Sequence, residues 1–422
     1  MGLDVRPVAS KRDLTTFIKL PWRLYRNEPN WVPPLIADRR RFLDRDKNPW
    51  FEHGEAEYFI AWRDGRAVGR ISAQVDRLLN QFQDNRWGLY GFFECEDDQE
   101  AADALFAAAE SWLRERGRDR MVGPMSFTMN DECGVLVEGY ELAPIILTDW
   151  THRYYPRLFE RAGMIRAMDT LMWHLEIQGR DRVHPSIWRV AERVESKHGI
   201  TVRPMRKKDI HAEIDRFLEV YNEAWERNWG FSPLTETEVR HYAHTLKPIL
   251  DEHWAFVAEK DGETVGAALS VPDYNQVFKT MNGRIFPFGW LKFLLNRKKI
   301  DRVRVFALGV KREWQHTGVA ARFYELHFDS AEVTPQTYGE MGWILETNKS
   351  MNRAMEGMGG RVVRRYRLYE RLLDPDARPS YPGTAEEKPA PAEEQAAPAE
   401  EQAAPAAEQA APAAADPSPE AT

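Results

Sequence analysis

The stretch 303-VRVFALGVKREWQHTGVAARFYE-325 decides how the chain is interpreted, because it joins an apolar strand to a helix through a glycine-containing corner. The run 303–310 has the length and apolar content of a buried strand, and the residues after Gly318 begin a helix. A glycine at such a corner either turns the chain or lets a ligand approach the backbone closely. Both interpretations stay open at this point.

Composition limits the classes of protein to consider. The chain has 422 residues, 43% of them hydrophobic, and a formal net charge of −8. This length suits two ordinary domains, and the negative charge argues against a nucleic-acid binder. Cys95 and Cys133 have no metal-type spacing, so we expect neither a metal nor a disulfide framework. Without an apolar span or a signal-peptide core, we expect a soluble cytoplasmic protein with no transmembrane segment.

The chain contains an internal repeat. The segment 58-YFIAWRDGRAVGRISAQVD-76 aligns without a gap on 255-AFVAEKDGETVGAALSVPD-273. The starts 5-VRPVASKRDL-14 and 202-VRPMRKKDI-210 also correspond, as do 157–176 and 353–372. Self-similarity at a fixed spacing indicates that one structural unit occurs twice.

Each unit predicts an α/β fold of the α+β type with a mixed sheet. The order is strand, helices, hairpin with an Asp-Gly turn, strand, helix, strand, helix and strand. We predict domains over 1–178 and 201–373, with a connecting helix in 179–200. The remaining residues, 374–422, combine repeated proline with alanine, glutamate and glutamine, so we expect a disordered tail.

This order of elements resembles the GNAT N-acetyltransferase family, as a tandem pair over nearly all of residues 3–373. The most specific motif is 315-QHTGVA-320, which matches the family's pyrophosphate loop, Gln/Arg-x-x-Gly-x-Gly/Ala. The segments 229-WGF-231 and 343-WILETN-348 are similar to a bacterial tandem-GNAT branch of that family. The resemblance implies an acyl-CoA-dependent N-acyltransferase that works through its second domain, with acetyl-CoA as the expected co-substrate and an amine as the acceptor.

The predicted coenzyme site lies at the corner after the apolar strand. A helix start offers unpaired backbone N–H groups and a partial positive charge, and Gly318 removes the Cβ that would hold a phosphate away. The resemblance implies two further contacts to the coenzyme, the end of the preceding strand and Asn348. An asparagine at this position is equally suited to cap a helix. The predicted contacts are Leu308, Gly309, Val310, Gln315, His316, Thr317, Gly318, Val319, Ala320 and Asn348.

The first half provides an internal comparison in 94-ECEDDQEAADAL-105. There Gln99 corresponds to Gln315, and Ala102 replaces Gly318. Five carboxylates crowd this corner, and like charges at short range cost on the order of 1 kcal/mol each even in water. We therefore expect the first domain to be a degenerate GNAT-like unit that packs against the second or shapes its substrate site.

The sequence defines the catalytic and acceptor residues less closely than the coenzyme site. Where many relatives carry a tyrosine on the last helix, this chain has Met355, so Glu346 is the predicted base and Glu340 the second candidate. For both, an ion-paired carboxylate is the alternative. The loop 221–235 predicts an acceptor site that uses ring faces and one amide, or else core packing. Its candidate residues are Trp225, Asn228, Trp229 and Phe231.

The second half has an insertion, 283-GRIFPFGWLKFLLNRKKID-301, that is apolar, aromatic and basic at its end. It predicts a lid or acceptor-binding element, a helix that contacts a membrane surface or a protein partner, or an amphipathic helix packed between domains. Two other functions stay open for the whole chain. They are a non-catalytic module that binds acyl-CoA or a metabolite, and a Fem-type aminoacyl or peptidyl transferase.

Overall fold

In a computed structural model, which describes residues 2–247 and 249–381, the strands form one mixed sheet. The strands are β1 (Leu3–Pro7), β2 (Gly54–Arg63), β3 (Arg66–Asp76), β4 (Trp87–Cys95), β5 (Arg120–Gly123), β6 (Val135–Glu138), β7 (Ile165–Glu176), β8 (Thr201–Pro204), β9 (Ala255–Lys260), β10 (Glu263–Pro272), β11 (Arg302–Val310), β12 (Tyr338–Leu345) and β13 (Arg361–Leu372).

Helices cover the two faces of the sheet, and short 3₁₀ turns precede several of them. The α-helices are α1 (Lys11–Leu24), α2 (Ile36–Phe42), α3 (Arg77–Phe82), α4 (Gln99–Arg114), α5 (Tyr155–Arg161), α6 (Pro185–Ala191), α7 (Arg193–His198), α8 (Ile210–Ala224), α9 (Glu236–Leu246), α10 (Asn275–Met281), α11 (Gly289–Asn296), α12 (Val319–Val333) and α13 (Lys349–Gly357). None of the helices in the described part of the chain is long and apolar enough to cross a membrane.

The sheet confirms the repeat and joins its two copies. The strand order is β1-β2-β3-β4-β5-β13-β7-β12-β11-β10-β9-β8. β13, the last strand of the second copy, therefore lies beside β5 of the first, and β7, the last strand of the first copy, lies beside β12 of the second. Backbone hydrogen bonds thus hold the two repeats together across the centre of the sheet.

The two Asp-Gly hairpins form as the sequence predicts. Asp64 and Gly65 have φ values of 51° and 79°, and Asp261 and Gly262 have values of 51° and 86°. Two consecutive positive φ angles match the twist of antiparallel strands, and Asp-Gly tolerates them well. These turns fix the register of β2 on β3 and of β9 on β10.

In each half, two parallel strands diverge. β4 pairs with β5 only from Trp87 to Leu89, yet β4 continues to Cys95. In the same way, β11 pairs with β12 only from Arg302 to Val305 and continues to Val310. The carboxyl ends of these strands therefore leave a gap in the sheet, one in each repeat.

The structure also describes the connecting segment between the two copies and the first residues of the predicted tail. The predicted connection, 179–200, contains a 3₁₀ turn at Arg180–Arg182 followed by α6 and α7. Of the predicted tail, residues 382–422 lie outside the described residues. Residues 374–381 return to the sheet, where Arg120 of β5 donates a hydrogen bond to the carbonyl of Arg378 and Glu370 of β13 accepts one from the amide of Ser380.

Candidate functional site

The predicted phosphate corner is a 3₁₀ turn, Arg312–Thr317, that ends at Gly318 before α12. Gly318 has a φ of 87°, a left-handed conformation that favours glycine. Among the residues that the structure describes, no side chain caps the start of α12 by a hydrogen bond, so its first backbone N–H groups are not used by a capping residue. Asn348, by contrast, accepts a hydrogen bond from Met351 N and caps α13.

The charge around this corner is positive on one side. His316 lies beside His198 of α7, with ring centroids 6.3 Å apart. Partial desolvation, and then the positive charge of Lys197 and the neighbouring His316, lower the pKa of His198. The basic residues within the motif contribute less than expected, because Lys311 pairs with two glutamates and Arg322 pairs with Glu325.

A neighbouring helix borders the same corner. A Cβ added to Gly318 would lie 2.5 Å from Cγ1 of Val190 in α6. Val190 is 44% exposed, so this contact is at the surface. Glycine at position 318 therefore leaves room for Val190, whether or not the corner also binds a ligand.

The predicted strand end and one predicted acceptor residue lie against each other. Trp225 lies where a Cβ on Gly309 would be, and it stacks on Tyr221 with ring centroids 5.3 Å apart. Leu308 and Val310 flank this glycine and are buried. The indole of Trp225 thus covers the backbone that the GNAT resemblance assigns to the coenzyme arm.

The other predicted acceptor residues point toward the first half. The ring of Trp229 lies 5.2 Å from that of Trp87, and the ring of Phe231 lies 5.3 Å from that of Phe82. The loop that carries Asn228 is fixed by a hydrogen bond from Gln83 to the carbonyl of Phe231. Core packing between the two halves, one of the two interpretations of this cluster, accounts for Trp229 and Phe231.

Both predicted catalytic glutamates are bound by arginine. Glu340 is 2% exposed and forms ion pairs with Arg302 and Arg364. Glu346 forms an ion pair with Arg166 and accepts a hydrogen bond from the amide of Asp169. Each carboxylate thus has a structural role, which was the alternative to a catalytic one.

A polar cavity lies in the gap between β4 and β5 of the first half, and none of the residues predicted for the coenzyme, acceptor or catalytic site lines it. It encloses about 90 Å³. Five charged side chains from separate parts of the chain line it: Arg39, Arg70, Glu94, Glu132 and Asp149. We call this cavity the first-half chamber.

The carboxylate of Glu94 is tightly held within the first-half chamber. Its Oε2 accepts hydrogen bonds from Tyr25 at 2.6 Å and from Tyr155 at 2.7 Å, and Arg70 lies 3.5 Å from its Oε1. Burial raises the pKa of Glu94, against the opposing effect of the Arg70 charge. The repeat could have pointed to this site, because the positions of Arg70, Glu94 and Tyr155 correspond to Ala267, Gly309 and Met351 in the second copy.

Charge crowding at the acidic corner of α4 is smaller than the sequence suggests. Arg23 and Arg66 pair with Glu96, and Arg63 pairs with both Asp98 and Glu100. These carboxylates therefore repel a phosphate less strongly than their number implies. The side chain of Asp98 still opposes phosphate binding at the start of α4, because it caps this helix by accepting a hydrogen bond from Ala101 N.

Comparison with known proteins identifies the family. The chain is 35% identical to the bacterial ceramide synthase of Caulobacter vibrioides over 381 residues, which covers 88% of this chain and 98% of that protein. It is 34% identical to the protein YghO of Escherichia coli over 377 residues, or 87% and 95% of the two chains. The chain belongs to the family of the bacterial ceramide synthase. No family model matches the sequence.

Solved structures confirm the tandem GNAT fold. A tandem GNAT protein from the clavulanic acid biosynthesis pathway has a TM-score of 0.51 at 13% identity, with 89% of this chain and 100% of that chain covered. The GCN5-related glucosamine N-acetyltransferase region of a fungal multi-domain enzyme has a TM-score of 0.53 at 14% identity, covering 88% of this chain and 38% of that one. At these identities the likeness concerns the fold.

The insertion of the second half forms a distinct surface element in this bacterial ceramide synthase relative. Residues 284–299 contain α11, and Phe293 on its inner side stacks on Tyr274 with ring centroids 5.6 Å apart. Its outer side is apolar and exposed. The large exposed side chains are Phe286, Phe288, Trp290, Leu291, Leu294 and Leu295.

Proposed function

We propose that this protein is an N-acyltransferase that transfers a fatty acyl group from acyl-CoA to the amine of a long-chain amino alcohol. The observation that carries the proposal is the match to a bacterial ceramide synthase over 98% of its length. A ceramide is a long-chain amino alcohol with a fatty acyl group on its nitrogen. The proposal keeps the predicted reaction type and replaces the expected acetyl group by a longer chain.

The reaction forms one bond and breaks one. The amine nitrogen attacks the thioester carbonyl, the new C–N bond forms, and the C–S bond breaks. The nitrogen loses one proton, and the departing thiolate takes up one proton. The protein must therefore accept a proton near the amine, orient both chains and exclude water from the thioester.

The residues of the second half suit the thioester substrate in two respects. The start of α12 at Gly318 and the positive charge of Lys197 favour phosphate, and the imidazoles of His198 and His316 can donate hydrogen bonds to it. The end of β11, Leu308–Val310, pairs with β10 on one side only, and on the side toward β12 it offers backbone groups to an extended arm. Val190 and Trp225 would border the bound molecule.

Glu346 remains the proposed base of the second half, with Glu340 as the second candidate. Glu346 is the more accessible of the two, with 17% of its side chain exposed compared with 3% for Glu340. Proton transfer by Glu346 would require it to separate from Arg166, because an opposite charge stabilises the ionised carboxylate.

The test is acyl transfer by the purified full chain. Hexadecanoyl-CoA and acetyl-CoA are each combined with sphinganine or with octylamine, while released thiol and amide product are measured. We expect thiol release and amide only with a long-chain amino alcohol, and faster with hexadecanoyl-CoA. Acyl-CoA binding without thiol release for any amine would support the binding-module alternative. Transfer from acetyl-CoA alone would support the original prediction.

A further inference from the structure

The first-half chamber is a polar site whose charges do not balance. Its lining contains three carboxylates, Glu94, Glu132 and Asp149, but only two guanidinium groups, those of Arg39 and Arg70. Arg39 is committed to Glu132 at 2.6 Å, and Arg70 lies nearest to Glu94. The charge without a counterpart is therefore that of Asp149.

The positive charges of Arg39 and Arg70 act on Asp149, but neither guanidinium forms an ion pair with it. Among residues 2–247 and 249–381, no group donates a hydrogen bond to its carboxylate, although its backbone carbonyl accepts one from Tyr366. Burial raises the pKa of Asp149 well above its usual range, and the nearby Glu132 carboxylate raises it further. Asp149 is half-buried, and a partly desolvated carboxylate without a donor is costly unless a ligand or a proton satisfies it.

A second polar group in the first-half chamber is also unsatisfied. Arg70 is 6% exposed, and its Nε has no hydrogen-bond partner in the described part of the chain. Its other contacts are a 2.6 Å hydrogen bond to the carbonyl of Phe17 and the ring of the same residue. Unsatisfied buried polar groups around a cavity indicate a place built for a polar ligand.

The lining also has hydroxyl groups and an apolar side. Ser126 and Thr151 belong to the polar wall, whereas Trp31, Pro34 and Leu147 form apolar wall, and Leu147 is 38% exposed. An ammonium group would supply the missing positive charge, a hydroxyl would meet Ser126 or Thr151, and an alkyl chain would leave along the apolar side.

We propose that the first-half chamber binds the amino-alcohol head of the long-chain acceptor, with the ammonium against Asp149. This inference rests on the proposed function and assigns the acceptor to the half that the sequence had set aside as degenerate. The ammonium gives one proton to Asp149, which frees the nitrogen lone pair for attack and leaves Asp149 as a neutral acid. The second proton, which the nitrogen loses as the amide forms, is the one that Glu346 would accept, and the departing thiolate takes up one proton.

The loop that carries Asp149 also contacts the strand proposed for the thioester. Arg302 and Arg304 of β11 donate hydrogen bonds to the carbonyls of Pro144 and Ile146. Asn275, from the second half, lines the chamber and donates to the carbonyl of Pro144 at 3.1 Å. The acceptor chamber is thus linked to β11 through residues 144–149.

Ligand titration tests the chamber directly. The probe is 2-aminodecan-1-ol, with decane-1,2-diol as the uncharged comparison, and binding is followed by calorimetry on the full chain. Asp149→Asn removes the charge at constant size, Asp149→Glu restores it, and Glu141→Gln changes an exposed carboxylate on the same loop. We expect Asp149→Asn to weaken amine binding by at least about tenfold, with binding partly restored in Asp149→Glu.

The outcomes separate the two proposals. Equal amine binding by the wild type and Asp149→Asn, with unchanged hexadecanoyl-CoA binding as evidence of folding, would overturn the chamber assignment even if acyl transfer occurs. Amine binding that depends on Asp149, in a protein that transfers no acyl group, would retain the chamber and overturn the proposed function. Equal binding of the diol and the amine would also contradict a site for an ammonium group.

A different observation carries a second proposal. The exposed apolar side chains of residues 284–299 include Phe286 at 76%, Phe288 at 68% and Leu295 at 65%. Exposed basic residues surround them: Arg284, Lys292, Arg297, Lys298 and Lys299. A soluble surface rarely exposes this much contiguous apolar area without a partner.

The inner side of this element is fixed. Lys292 Nζ donates to the carbonyl of Thr280 at 2.7 Å, and Gly289 packs so closely that a Cβ would collide with the carbonyl of Arg284. The outer rings are therefore held outward on a supported base. Large apolar side chains ringed by lysine and arginine are typical of segments that insert into the interface of an anionic bilayer.

We infer that residues 284–299 dock on an anionic lipid surface. Gly283, the residue before this element, lies beside the apolar side of the first-half chamber, because its carbonyl accepts a hydrogen bond from Ile36 N and a Cβ on it would lie 2.9 Å from the carbonyl oxygen of Pro34. Docking in this way brings the apolar side of the chamber toward the lipid, from which a long-chain amine can enter.

Vesicle flotation tests the lipid contact independently of activity. The full chain is mixed with vesicles of phosphatidylcholine alone or of equal parts phosphatidylcholine and phosphatidylglycerol. We expect flotation with the anionic vesicles only, its loss in Phe286→Ser/Phe288→Ser/Leu295→Ser, and its reduction in Lys298→Glu/Lys299→Glu. Val333→Ser, which changes an apolar side chain that is 71% exposed elsewhere, should behave as the wild type. No flotation of the wild type, or self-association abolished by the triple variant, would overturn the proposal.

Discussion

The phenol of Tyr155 donates a 2.7 Å hydrogen bond to the buried carboxylate of Glu94. Tyr154, its neighbour in sequence, donates a 2.8 Å bond to the neutral carbonyl of Cys95. The two tyrosines can therefore be compared, because Tyr155 donates to a carboxylate and Tyr154 to a neutral carbonyl; the Tyr155 hydroxyl also accepts a 3.0 Å hydrogen bond from Cys95 N.

Tyr155→Phe should lower the free energy of unfolding by about 2–3 kcal/mol, because a buried carboxylate loses a donor. Tyr154→Phe should cost about 1 kcal/mol, since its acceptor is uncharged. Denaturant titration of both variants measures the difference. Equal losses would contradict an ionised Glu94 that depends on its tyrosine donors.

Gly318→Glu should weaken the binding of hexadecanoyl-CoA by at least about tenfold, because it adds a negative charge and bulk at the proposed phosphate corner. Gly65→Glu is the matched control. Gly65 has a similar φ of 79° with no atom near its Cβ position, so it reports backbone strain alone. Calorimetric titration measures both. Unchanged affinity in Gly318→Glu would show that the phosphates do not bind at this corner.

Glu340→Ala should destabilise the protein by about 3–5 kcal/mol, because Arg364, which is fully buried, would lose its counter-charge. Glu346→Ala should cost at most about 1 kcal/mol, since its partner Arg166 is more exposed. Measuring turnover per folded molecule separates a loss of stability from a loss of catalysis. A fall in that turnover for Glu346→Gln at unchanged stability supports Glu346 as the base, and unchanged turnover excludes it.

His53 links the two halves and should make stability depend on pH. It lies 3.0 Å from Asp76 and 3.3 Å from Glu238. Burial opposes its charge, but the hydrogen bonds and charges of these two carboxylates outweigh it and raise the pKa of His53 to about 9. Because the folded pKa lies above the unfolded value, the stabilisation is complete below about pH 6.5 and is lost as the pH rises toward 9.

We expect the wild type to lose about 1–2 kcal/mol of unfolding free energy between pH 6.5 and 9 through His53 alone. In His53→Gln this contribution should be missing, so the difference in unfolding free energy between the wild type and His53→Gln should shrink as the pH rises. Urea unfolding at a series of pH values measures it. A constant difference across this range would show that His53 is not charged in the folded protein.

Much of the site could not be predicted from the sequence, for an identifiable reason. The corner at Gly318, the cap at Asn348 and the small residue at Gly309 depend on local geometry, and the structure contains each of them. The first-half chamber depends on residues far apart in the chain, from Arg39 to Asp149. The acidic corner misled the sequence argument because its arginine partners come from other segments.

The sequence by itself determined the repeat, the order of strands and helices, the two Asp-Gly hairpins and the GNAT resemblance. These follow from hydrophobic period and turn chemistry, which act over a few residues. Only the tertiary structure decided that β7 and β13 lie side by side at the centre of one sheet, because strand pairing joins residues about two hundred positions apart. The same long-range packing leaves the Asp149 carboxylate without a hydrogen-bond donor in the described part of the chain and leaves the apolar side of α11 exposed, because burial and ion pairing are settled only when distant segments meet.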